Sequence, residues 1–156
     1  MNKSNYINRY MVLLVDRKRV IMFTIKAGRA SKRVEYVNGQ VPQRVKTDEE
    51  HFYGRTDKIA RHIEDHLHRD LLFVSGHAKT YWKKQKYDGL IIGTHKPLYS
   101  KIEKHLPAFM KKHVKEKFVT ELKAPFGDIL KVVRTSVKDM EKKIEIQAYE
   151  NYFLNQ

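Results

Sequence analysis

Eight histidines stand among 156 residues, and two of them, His62 and His66, lie one helical turn apart, so metal binding is the first chemistry to weigh. A zinc site normally takes three or four protein ligands, and the His-Glu-x-x-His pattern is missing from this stretch. Asp65 and His68 point to other sides of the same helix. No metal site and no cofactor are expected, and the histidines read as surface or phosphate-facing groups on a basic helix. A second chemistry, two-metal hydrolysis of nucleic acid, would need several carboxylates converging on one point. Asp16 is placed for that role, yet it is the only acid among the first 34 residues, and Asp16-Arg17-Lys18-Arg19 is also an ordinary turn with Asp at its first position. Glu64, Asp65 and Asp70 lie on a helix and do not face one point. The chain shows no Gly-rich phosphate loop, no Ser-His-Asp order and no dinucleotide fingerprint, and with no cysteine there is no thiolate chemistry or disulfide framework. No catalytic residue is assigned.

Phosphate binding needs less, only Lys and Arg on a common face. The chain has 32 Lys and Arg against 18 acids, a net charge of +14 with His neutral. Such an excess speaks about partners, nucleic acid before others. From Met1 to Val34 there are nine bases and one acid, and from Lys79 to Lys117 eleven bases and three acids. Arg17, Lys18, Arg19, Arg29, Lys32 and Arg33 form the first candidate group; Lys83, Lys84 and Lys86 form the second, with Tyr81 and Trp82 interleaved. Trp82 reads better as a core residue than as a base-stacking one. His62 and Arg69 belong to the basic helix face between them. Between Asn38 and Arg55 runs a long polar stretch whose Arg44, Lys46, His51 and Arg55 suit an RNA-contacting tip, although Asp48, Glu49 and Glu50 work against it.

These groups must be positioned by regular elements. Ile59, Ile63, Leu67, Leu71, Val74, Ala78 and Trp82 recur at steps of three and four, which predicts one long helix from about Thr56 to Trp82, opened by Thr56 or Asp57 and continuing through Gly76. Upstream, Tyr10 to Val15 and Val20 to Ile25 read as a strand hairpin, and Arg33 to Val37 as a third strand. Downstream, Gly89 to Gly93 reads as a strand buried on both faces. Helices over 98–105 and 108–114 follow, then a strand at 118–122. A final helix opens at Pro125, with Ile129, Val133, Val137, Met140, Ile144, Ala148 and Tyr152 on one side. The predicted order βββαβααβα makes a single α/β domain with a mixed sheet. With 41% hydrophobic residues the chain has material for a core, and no run of 18 apolar residues marks a membrane span, so a cytoplasmic protein is the default. Tyr149, Tyr152 and Phe153 crowd the last turns, so residues 143–156 are set apart from the domain over 1–142 as an extension that packs on a partner, a second copy or a further domain.

With the elements in this order, the chain resembles the middle domain of eukaryotic and archaeal class-one translation release factors, and more closely the bacterial and archaeal release-factor-like family related to them. The similar points are the hairpin ending in Val15-Asp16, the helix segment Arg61-His62-Ile63-Glu64-Asp65-His66-Leu67-His68-Arg69, the strand Tyr87 to Gly93, and Leu98 to Leu106 followed by Pro107. The match spans about Tyr10 to Lys142. It implies an RNase H-like fold and a role at the ribosome, with rRNA or tRNA as partner. In release factors a Gly-Gly-Gln tripeptide precedes the long helix and supports hydrolysis of peptidyl-tRNA. Here that position holds Glu49 to Arg55, and Asn38-Gly39-Gln40, directly after the third strand, is first of all a turn signal. The expectation is a non-catalytic, ribosome- or RNA-binding domain acting in translation. The alternatives are a metal-dependent nuclease or phosphoesterase using Asp16, and an interaction or dimerisation domain.

Overall fold

The structure is a computed structural model that describes residues 7–17, 19–37 and 52–155, and the side chains of all of these except 52–66. Three strands open the chain: β1 (Arg9–Val15), β2 (Arg19–Lys26) and β3 (Arg29–Val37). Met11 to Leu14 are fully buried, because β1 lies at the centre of the sheet with a layer on each face. The β2–β3 turn is two residues long, with Ala27 at φ 52° and Gly28 at φ 73°, the double positive φ that matches strand twist. A long helix α1 (Phe52–Trp82) leads into β4 (Gly89–Thr94). A short 3₁₀ turn, α2 (Tyr99–His105) and α3 (Ala108–Lys111) precede β5 (Val114–Val119), and α4 (Phe126–Leu154) ends the chain.

The five strands are ordered β3-β2-β1-β4-β5, with β1 antiparallel to β2 and parallel to β4, and β4 parallel to β5. This mixed α/β domain has the predicted order of elements, and its sheet is compatible with the RNase H-like expectation. One face packs Met11, Leu13 and Met22 against Leu71, Val74 and Ala78 of α1 and Ile102 of α2. The other packs Val12, Leu14 and Phe23 against Ile129, Val133 and Met140 of α4. Each such buried aliphatic side chain contributes about 1.5–3 kcal/mol, so the two helix stripes are strong determinants of the fold.

The boundaries differ from the sequence expectation in three places. α1 begins at Phe52, not Thr56. A capping residue marks a start only where something halts the helix upstream, and no proline lies between Phe52 and Thr56. β3 begins at Arg29, not Arg33, since a bulge opposite Met22 and Thr24, with Lys32 at φ 54°, interrupts the alternation that reveals a strand. β5 covers 114–119 in place of 118–122, and the helix expected through Val114 stops at Lys111. Pairing with β4 decides this, because Val114 lies beside Leu90 and Val119 beside Thr94.

Gly76 is helical, exposed, and has nothing within 4 Å of where a Cβ would stand. Gly76→Ala therefore raises the unfolding free energy by about 0.5–1 kcal/mol, through lost chain entropy in the unfolded state. Chemical denaturation of the two proteins checks this, and a lower midpoint for the alanine variant would contradict it.

Candidate nucleic-acid interface

The strands carry the candidate bases to two opposite ends of the sheet. One end, here the basal end, is made by the starts of β1 and β4 and by the β2–β3 turn, since Tyr10 pairs with Gly89 and Lys26 with Arg29. Helix α1 finishes there, and its last residue is followed by Lys83, Lys84 and Lys86, all exposed. Arg29 and Lys32 are exposed at the same end. Lys32 reaches the turn after α1 directly, with its Nζ donating to Gln85 Oε1 at 3.3 Å. The other end holds the β1–β2 turn with Arg17 and Arg19. Six residue steps along β1 separate the two ends, about 20 Å. The bases expected on one surface are thus divided.

Arg19 and Arg33 are further set apart by their partners. Glu35 accepts both, at 3.7 Å from Arg19 and 3.0 Å from Arg33. Arg19 also donates to the Leu122 carbonyl, and the Arg33 guanidinium lies 4.0 Å from the centre of the Phe126 ring. Arg33 thus serves the packing of α4 on the sheet, and Arg19 ties β2 to the segment that precedes α4. Arg17 and Arg69 are exposed. Lys18, Arg44, Lys46 and His51 lie outside the described residues, and Arg55 and His62 lie on α1 where side chains are not described.

A buried polar cluster fixes the basal lysines relative to one another. Thr24 Oγ1 lies 3.0 Å from the Tyr81 hydroxyl and 2.7 Å from the Tyr87 hydroxyl. Gln85 Nε2 donates to Thr24 Oγ1 at 3.0 Å and to Tyr87 at 2.7 Å, and the Tyr81 hydroxyl donates to the Lys32 carbonyl at 2.9 Å. The bulge at Lys32, the end of α1 and the turn carrying Lys83 to Lys86 are therefore one hydrogen-bonded unit. Breaking such a unit leaves buried polar groups unmet, which costs about 1–3 kcal/mol each. Burial pushes the Tyr81 phenol far above its ordinary value, so it stays a neutral donor at any physiological pH. Tyr81, expected to be interleaved with the lysines, is buried, and its neighbour Trp82 is half-buried with its ring 5.4 Å from those of Tyr87 and His113, the core place expected of it. Sequence reasoning also missed Arg9 at this end, whose backbone N–H donates to Asp88 Oδ2 at 2.7 Å and whose guanidinium reaches the Lys86 carbonyl. Only the parallel register of β1 and β4 brings it there.

The alternative chemistries find other structural uses for their residues. The Arg19 N–H donates to Asp16 Oδ1 at 2.5 Å and the Asp16 N–H to the Arg19 carbonyl at 3.0 Å, so Asp16 closes the β1–β2 turn. Among the described residues, no three His, Asp or Glu side chains gather as a metal site. His68 Nδ1 and His105 Nε2 lie 3.1 Å apart and tie α1 to α2, and His77 stacks beside Tyr36 and Phe73. Near the same face the Tyr99 hydroxyl is buried with no hydrogen-bond partner among the described residues. Burial, and then the charge of Glu116, push its phenol up to about 12. The raised value means that the ionisation of Tyr99 costs the fold nothing below pH 10 and that stability falls as pH rises from 10 to about 12, where the unfolded chain ionises first. Tyr99→Phe is expected to be neutral or stabilising by up to about 1 kcal/mol near pH 8, and to flatten the alkaline fall in stability. Urea unfolding at pH 8 and pH 11, compared between the two proteins, tests both parts.

The open α/β sheet with helices on both faces is a fold that solved archaeal structures share. An archaeal translation termination factor has a TM-score of 0.56 at 17% identity, covering 94% of this chain and 40% of that one. A structure described as an archaeal protein scores 0.54, also at 17% identity with 94% and 40% covered. Pelota from Archaeoglobus fulgidus scores 0.47 at 12% identity, with 95% and 38% covered. The chain thus spans about 40% of the length of the first structural relatives. Among curated proteins no significant relative is found. The family model of bacterial archaeo-eukaryotic release factor family 10 matches residues 6–137, and the chain belongs to that family. Among the described residues no helix is long and apolar enough to cross a membrane.

Proposed function

We propose that this chain is a ribosome- or RNA-binding domain that acts in translation without hydrolysing peptidyl-tRNA. The observation that carries the proposal is the basal group of Arg29, Lys32, Lys83, Lys84 and Lys86, exposed and in no ion pair among the described residues, with Lys32 and the turn after α1 joined by the Thr24 cluster. Fixed cations lose less side-chain and backbone entropy on meeting phosphates than mobile ones, so their affinity for a polyanion is higher. Membership of a release-factor family supports rRNA or tRNA as that polyanion. The absence of Gly-Gly-Gln from these 156 residues supports binding over catalysis, with the domain occupying the tRNA site of stalled or idle ribosomes. Arg17 and Arg69 provide a second, smaller contact. Asp16 serves its turn, which favours this function over a nuclease built on that residue. Co-sedimentation with ribosomes at low and moderate salt is the test. Association that weakens steeply with salt is expected; no association at low salt would sink the proposal.

A further inference from the structure

The flank where β3 meets α1 carries a second set of groups suited to nucleic acid. Arg69, Phe73, His77 and Thr80 follow one another at steps of four, four and three, so they fall within about 80° of one another around α1. That strip borders β3. The His77 ring lies 4.0 Å from the Tyr36 ring at 32°, and Phe73 stands across both, at 89° to Tyr36 and 65° to His77. Two steeply inclined walls make a corner, and a flat ring laid on one wall has its edge against the other. Phe73 is 43% exposed, so its wall is open to solvent. Tyr81 and Trp82, next to the basal lysines, pack inward, and the aromatic role they leave falls to this corner.

We propose that this flank is a track for single-stranded RNA, in which an unpaired base stacks on Phe73 in the corner with Tyr36 and His77 while the backbone runs from the basal lysines to Arg69. The inference rests on the RNA-binding reading above and names the form of RNA it takes. Charge complementarity carries the choice of occupant. Lys32 lies four residues before Tyr36 on β3, about 13 Å, and Lys84 follows the end of α1, while Arg69 stands one turn from Phe73 on the other side of the corner. Cations thus flank the rings on both sides, along a path of about 20 Å from Arg69 to the end of α1. Between Leu67 and Lys86 the one acid is Asp70, which lies half-buried with Val15 and Arg17 around a small cavity. Glu35 is on the opposite face of β3, where it bonds to Arg19 and Arg33. Aromatic rings set among backbone-binding cations hold unpaired strands, because every base has a π-face to stack. A protein partner fits less well, since the exposed apolar side chains nearby do not gather into one patch. Leu72 points about 100° away from Phe73 around α1, and Val37 alternates to the face of β3 opposite Tyr36. Duplex RNA keeps its bases stacked inside and offers none to the corner.

Fluorescence anisotropy on the whole chain tests the track, with a labelled oligoadenylate of about 12 nucleotides, the same strand paired with oligouridylate, and polyphosphate as a competing polyanion without bases. Phe73→Leu keeps an apolar side chain at an exposed position and removes the ring. It should weaken oligoadenylate binding at least about fivefold at every salt concentration, with the slope of log affinity against log salt unchanged. Duplex and polyphosphate binding should stay as they were. Phe73→Trp, which restores a ring, should keep the affinity for oligoadenylate. Arg69→Gln should lower the oligoadenylate slope by about 0.7, the share of one phosphate contact on a single strand. An affinity that Phe73→Leu does not change, while charge reversal at Lys83, Lys84 and Lys86 still removes it, overturns the track and leaves the RNA-binding reading standing. Equal losses for all three probes also overturn it, because the ring then acts through the fold, and so does an unchanged slope for Arg69→Gln. No binding of any RNA at low salt removes the underlying reading and the track together.

Discussion

Charge reversal at Lys83, Lys84 and Lys86 together is expected to lower affinity for RNA by about a hundredfold or more at 0.1 M salt, with the fold unchanged. Each phosphate contact on a single strand releases about 0.7 of a counterion, which contributes about 0.7 decade of affinity at 0.1 M relative to 1 M salt. Three contacts therefore supply about two decades, and replacing them with glutamate adds repulsion to the loss. The same variant should reduce the slope of log affinity against log salt by about 2. These side chains are exposed and carry no ion pair among the described residues, Lys83 alone lying 5.9 Å from the centre of the Phe109 ring, so their removal leaves stability within about 1 kcal/mol. Arg33→Gln supplies the contrast. It removes the nearer of the two partners of Glu35 and uncovers Phe126, so it should lower stability while leaving the salt slope nearly unchanged. Filter binding of an unstructured RNA across a salt series separates the two. An unaltered slope for the triple variant would place the RNA-contacting surface elsewhere on the domain.

The largest effect on folding is expected at Gly93. A Cβ there would stand 2.5 Å from Phe118 Cζ and 2.7 Å from Leu14 Cδ2, separations that real Cβ atoms do not show. Gly93 lies in β4, paired to β1 on one side and β5 on the other, so the backbone has no free edge toward which to shift. Gly93→Val is therefore expected to cost on the order of 3 kcal/mol or more, enough to lower the melting temperature by about 10 °C or to prevent folding. Adding Phe118→Ala should recover part of that loss, because the ring is the nearer obstacle. If the double variant is no more stable than Gly93→Val alone, the clash is not the cause. Gly89 provides a control at the other end of the strand, where a Cβ would come 2.5 Å from Cγ of a flexible lysine, Lys115, while Tyr10 stays beyond 3 Å. Gly89→Ala should cost clearly less.

The pair Gly89 and Gly93 also shows what a linear reading could and could not reach. The run Gly-Leu-Ile-Ile-Gly identified a strand covered on both faces, but not that Phe118 from a neighbouring strand would lie over its second glycine. The release-factor resemblance was legible from the hairpin, the His- and Arg-rich helix and this strand, and the family match supports it over residues 6–137. Boundaries of β3 and β5 were not legible, because a bulge in one and pairing across the sheet in the other set them.

By itself the sequence determined the order of elements, the buried central strands and the apolar stripes of α1 and α4. Periodicity along the chain is enough for these, since a side chain's face within a helix or strand depends on its near neighbours alone. Tertiary structure decided which bases share a surface. An antiparallel hairpin sends residues only a few positions apart to opposite ends of a strand, so Arg17 and Arg19 part from Arg29 and Lys32, while the parallel pairing of β1 with β4 brings Arg9 beside Lys86. It also decided that Arg19 and Arg33 bond to Glu35, that Tyr81 turns inward to Thr24, and that the stripe of α4 continues for several turns after the sheet beneath it has ended. Each of these depends on register and length between segments distant in sequence, which no local pattern encodes.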